Sequence, residues 1–115
     1  MATFSREPLS GSTSGTPIAV SSTDSAGAHT VHTSDTNRWE IYLFASNKST
    51  ASVELFTELG DTVSPIIQTI GARQGLVPVL PGSFLSANKV VKVYCSTVST
   101  AAIAVSGWTN KLASS

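Results

Sequence analysis

Apolar side chains recur at every second position in this chain, in short runs fenced by turn residues, and no segment shows a helical period. In Arg38–Ser46, Trp39, Ile41, Leu43 and Ala45 fall on one side, with Glu40, Tyr42 and Phe44 on the other. In Ala51–Leu59, Val53, Leu55, Thr57 and Leu59 alternate with Glu54, Phe56 and Glu58. Successive side chains of a strand point to opposite faces, so this pattern specifies half-buried strands. Shorter runs of the same kind begin at Ile18 and Ala28, span Pro65–Ile70 and Leu76–Leu80, and recur at Lys89–Cys95 and Thr100–Thr109. Turn chemistry separates them at Ser34-Asp35-Thr36-Asn37, Asn47-Lys48-Ser49-Thr50, Gly60-Asp61 and Pro81-Gly82. The expected fold is all-β, an antiparallel β-sandwich or small jelly roll of about eight strands. Asn47–Thr50 predicts a hairpin between the two strongest runs. Pro78 cannot donate to a ladder, which puts Leu76–Leu80 at an edge, whereas Lys89–Cys95 reads as a central strand.

The first 16 residues break the pattern. Ser10-Gly11-Ser12-Thr13-Ser14-Gly15-Thr16 has the composition of a linker and follows a small cluster of Phe4, Arg6, Pro8 and Leu9. The expected organisation is an extended N-terminal arm and tether over 1–16 and a single sandwich domain over 17–115. A domain of this size buries about 65% of the surface its unfolded chain exposes, enough to fold without staples. On that reading Phe4, Arg6, Pro8 and Leu9 pack on a neighbouring subunit, and deleting residues 1–14 leaves the melting temperature within a few degrees.

Composition narrows the function. The seven basic residues (Arg6, Arg38, Lys48, Arg73, Lys89, Lys92 and Lys111) are scattered and offset by seven acidic ones. Nucleic-acid binding by counterion release needs clustered cations, so no nucleic-acid partner is expected. Ser and Thr supply 33 residues, which makes the surface polar without charge, and zero net charge favours association. Cys95 is the single cysteine and alternates with Val91 and Val93, the position of a buried thiol. No apolar run is long enough for a transmembrane helix, and Met1–Glu7 lacks the form of a secretory signal. Synthesis in a cytoplasm and no membrane partner are expected.

No catalytic set emerges. His29 and His32 fall on opposite faces of one strand and read as solvent-facing; no third ligand lies near except Asp24 and Asp35, so no metal site is expected. Glu54 and Glu58 lie about 13 Å apart along a strand, too far for a glycosidase pair, and read as a solvated face. Gly11-Ser12-Thr13-Ser14-Gly15 precedes no helix and is not a nucleophile elbow. The chain is therefore expected to be no enzyme, with no cofactor and no small-molecule substrate. Trp39 is expected in the core. Tyr42, Phe44 and Trp108 are the candidates for an open contact patch, or for stacking on sugars.

Asn37-Arg38-Trp39-Glu40-Ile41-Tyr42-Leu43-Phe44-Ala45-Ser46-Asn47 resembles an aromatic-rich strand, ending in an alanine-serine-asparagine turn, of small virion proteins of tailed bacteriophages. Val53-Glu54-Leu55, Gly71-Ala72-Arg73-Gln74-Gly75-Leu76, Val79-Leu80-Pro81-Gly82 and the closing Val105–Leu112 continue the likeness over residues 28 to 112, leaving out the arm. The resemblance implies a β-sandwich capsid decoration (cement) protein or related head protein, with a head-fibre or tail component as the alternative. It further implies a homotrimer seated on the major capsid protein at the virion surface.

Overall fold

The computed structural model describes residues 2–12, 15–61, 64–96 and 103–114, with the side chains of all of these except 2–4 and 113–114. Nine strands are present among them: β1 (Ala2–Pro8), β2 (Ile18–Val20), β3 (His29–Thr33), β4 (Arg38–Asn47), β5 (Val53–Leu59), β6 (Ile66–Ile70), β7 (Val77–Leu85), β8 (Val90–Cys95) and β9 (Ile103–Ser114). One sheet has the order β1-β9-β4-β7, with β2 also on β9; the other has the order β3-β8-β5-β6. All pairings are antiparallel. From β2 to β9 every connection except β5–β6 passes from one sheet to the other, which is the winding of a jelly roll.

The expected hairpin of Arg38–Ser46 with Ala51–Leu59 does not form. β4 lies between β9 and β7, while β5 lies between β8 and β6 in the opposite sheet. Asn47 turns the corner. Its side-chain amide donates to Ala51 O at 2.9 Å and Ile70 O at 3.1 Å, and its Oδ1 accepts from Ser49 N at 2.9 Å. The chain thus arches from sheet to sheet, keeping the alternation of both strands. Pro81-Gly82 is likewise no turn. The register between β4 and β7 shifts there, from Ile41↔Ser83 to Tyr42↔Pro81, so Gly82 sits in a bulge. As its proline predicts, β7 is a terminal strand.

Between the sheets lie Trp39, Ile41, Leu43 and Ala45 of β4, Ile103 and Val105 of β9, Val53 and Leu55 of β5, and Val91, Val93 and Cys95 of β8. Each large aliphatic side chain removed from water contributes roughly 1.5–3 kcal/mol. The same burial pushes the Cys95 thiol up to about 11, so it is a packing group and no nucleophile at neutral pH.

The N-terminal segment belongs to this fold. β1 pairs with β9 from Ala2↔Ser114 to Pro8↔Trp108. Leu9 then drops between the sheets, where it is 1% exposed. Gly11 N donates to Val31 O at 2.9 Å, and Thr33 N donates to Ser10 Oγ at 2.7 Å. The segment after β1 therefore seals the side of the sandwich at β3. Residues 2–12 thus pack on the domain that the sequence reading begins at 17, and Leu9 is not among the surfaces open to a neighbour. The side chain of Phe4 lies outside the described residues.

The seam also fixes His32. A register shift between Thr30 and His32 turns both Val31 and His32 inward, so His32 is 1% exposed and not the solvent-facing histidine that strict alternation implies. Its Nδ1 accepts the Ser10 N–H at 3.0 Å, which places the proton of the neutral ring on Nε2. Nε2 is buried with no hydrogen-bond partner among the described residues, and the ring meets Trp39 edge-on at 4.5 Å. Burial holds the His32 pKa below its ordinary value, opposed by the Asp35 carboxylate. Trp39 Nε1 donates to Asp35 at 3.2 Å, and the Lys111 ammonium pairs with it at 3.1 Å. Below about pH 6.5 the unfolded chain takes up a proton at His32 more readily than the folded chain does. Stability is thus expected to be full above that pH and to fall on acidification by up to about 1.4 kcal/mol per pH unit. Urea unfolding at pH 7.5 and 5.5 measures this, with His32→Gln as the variant that flattens the slope. An intact protein equally stable at both values contradicts it.

Candidate interaction face

The outward side of the β1-β9-β4-β7 sheet gathers the aromatic residues singled out in the sequence. Tyr42 and Trp108 are direct register partners on β4 and β9. Their rings stack at 5.0 Å and 13°, and Phe44 also stacks on Trp108 at 5.7 Å and 28°. All three side chains are half-buried. The Arg6 guanidinium carbon lies 5.5 Å from the Trp108 ring centroid, a cation–π contact delivered by β1. Pro8 stands opposite Trp108, Pro81 opposite Tyr42 and Pro78 opposite Phe44, so prolines flank the stack on both edge strands. Asn110 donates to Glu40 at 3.4 Å beside it.

The backbone beneath is tightly set. Gly107, in the left-handed region at φ +156°, lets β9 approach β4 so closely that a Cβ there would collide with the Tyr42 carbonyl oxygen. Of the residues expected at a surface, Arg6, Pro8, Tyr42, Phe44 and Trp108 are thus brought together, and Leu9 is not. The contribution of Pro78 and Pro81 follows from register and was not legible in the sequence.

The opposite sheet carries a smaller outward row: Tyr94, Phe56 and Ile67 are in register across β8, β5 and β6, with Phe56 and Tyr94 stacked at 4.8 Å and 8°. The expected solvated Glu54/Glu58 face is only half present there. Glu58 is 2% exposed, because the chain between β2 and β3 lays Ser25 over it and the hydroxyl donates to Glu58 Oε2 at 2.6 Å. A hollow of about 300 Å³ beside it is lined by Asp61, Lys89 and Lys92 as well, so its charges balance. Among the described residues no three His, Cys, Asp or Glu side chains gather as a metal site would require. The outward side of the β1-β9-β4-β7 sheet thus presents stacked aromatic surface with a cation over Trp108. No protein family, curated protein or solved structure matches the chain.

Proposed function

We propose that the chain is a non-enzymatic virion structural protein that decorates and stabilises a bacteriophage capsid, associating with itself as a homotrimer and seating on the major capsid protein. The observation that carries this reading is the outward Tyr42–Trp108–Phe44 stack with Arg6 over it. Aromatic residues and arginine are the types that concentrate binding energy at protein interfaces. The neutral, hydroxyl-rich surface around it and the resemblance of residues 28 to 112 to virion proteins support the same assignment. Co-sedimentation of the purified protein with capsid shells tests it. Trp108→Ala is expected to lose about 2 kcal/mol of attachment, roughly thirtyfold in affinity. A wild-type protein that stays in the supernatant of the shells defeats the proposal.

The near-parallel Tyr42 and Trp108 rings also favour a second reading, a carbohydrate or host-receptor module in which a sugar lies on the stack. A glycan array separates the two: hits abolished by Trp108→Ala favour the sugar, and a blank array favours the capsid.

A further inference from the structure

The sheet edges are not alike. β1 carries Arg6, Glu7 and Pro8, and β2 is three residues long. β3 has a bulge, and its outer side is tied to Ser10 and Gly11. β7 contains Pro78 and Pro81 and two register shifts. These are the devices by which proteins blunt exposed edges. β6, Ile66-Ile67-Gln68-Thr69-Ile70, has no charge, proline or bulge. It pairs with β5 alone, and among the described residues no backbone–backbone hydrogen bond beyond that ladder reaches it; the Asn47 amide holds Ile70 O at its end. The apolar row Tyr94–Phe56–Ile67 runs to this edge and stops at Ile67, 55% exposed, next to Ile66 at 39%.

We propose that β6 pairs antiparallel with β6 of a second copy about a two-fold axis, joining two four-stranded sheets into one of eight. Centred on Gln68, the pairing sets Ile67 opposite Thr69 of the other copy and Ile66 opposite Ile70. The exposed isoleucines then gain β-branched cross-strand partners. A second copy fits better than an unrelated strand because the segment is uncharged and complementary to itself, and the whole chain carries no net charge to oppose association. Each copy uses the same edge, so the contact closes and does not propagate into a fibre. It is independent of the capsid assignment, and adds a two-fold contact to any trimer.

Sedimentation velocity on the full chain across a hundredfold concentration range tests this. The expected species are even-numbered, a dimer or a pair of trimers, and Ile67→Lys is expected to halve their mass. Ile67 faces outward, so its replacement leaves the core intact, and a thermal melt checks that. Hydrogen exchange supplies the second readout: β6 amides protected in the concentrated wild type exchange fast in Ile67→Lys. A wild type that is monomeric or only trimeric, an Ile67→Lys protein of unchanged mass, or β6 amides that exchange equally fast in both overturns the proposal. So does a chain whose β6 is protected only by an added foreign peptide.

Discussion

Removing residues 1–14 is expected to unfold the domain at ordinary temperatures. The deletion takes away β1, which covers β9 from Trp108 to Ser114, and with it Leu9. Truncating a buried leucine to alanine alone costs about 2–5 kcal/mol through lost transfer energy and the cavity left behind. Val31 O loses the Gly11 N–H, and His32 Nδ1 loses the Ser10 N–H. Each buried polar atom left without a partner costs about 1–3 kcal/mol. Together these approach the entire stability of an ordinary domain, about 5–15 kcal/mol. Circular dichroism melts of the truncated chain and of Leu9→Ala measure the effect, with Leu9→Ala expected to retain the fold at a much lower midpoint. A truncated chain melting within a few degrees of the intact one restores the tether reading and refutes this one.

Gly107→Ala is expected to be the most damaging single methyl group that can be added to the β1-β9-β4-β7 sheet. β4 and β9 are its two inner strands, and the new Cβ points at the Tyr42 carbonyl oxygen. Overpacking costs about 1–3 kcal/mol, and a strained backbone adds about 1–3 kcal/mol more. Because the collision is at Tyr42, relief requires β4 to move, which disturbs the stack on Trp108. The variant should therefore lose near-ultraviolet circular dichroism from the aromatic cluster as well as denaturant resistance. Gly75→Ala, where a Cβ meets nothing within 4 Å, is the matched control and should be nearly silent. Equal stability of the two variants would show that β9 can shift without cost.

Periodicity made the buried faces of β4, β5 and β8 legible, because alternation reports which side of a strand meets the core. Alternation is indifferent to the partner strand. The same Asn47–Ser52 stretch that closes a hairpin on paper arches between sheets once Asn47 finds the Ile70 carbonyl, 23 residues away. Bulges are invisible for a related reason. One extra residue at Val31 reverses the facing of His32, and no local signal announces it. Leu9 is not legible as core, because its flanking serines and glycines suit a linker as well as a tight crossing over β3. The aromatic face was half legible: Tyr42 and Phe44 follow from the period of β4, whereas Trp108 and Arg6 join them only through the registers of β9 and β1.

The pairing of Ala2 with Ser114 brings the two ends of β1 and β9 side by side. Antiparallel ladder bonds run perpendicular to the strands. A pull applied through these ends therefore lies along the bonds, loads them one pair at a time and unzips β1 toward Pro8. A pull directed along the strands, by contrast, loads all of the pairs at once in shear. The β1–β9 ladder thus gives way more easily to a pull across its strands at Ala2 and Ser114 than to one directed along them.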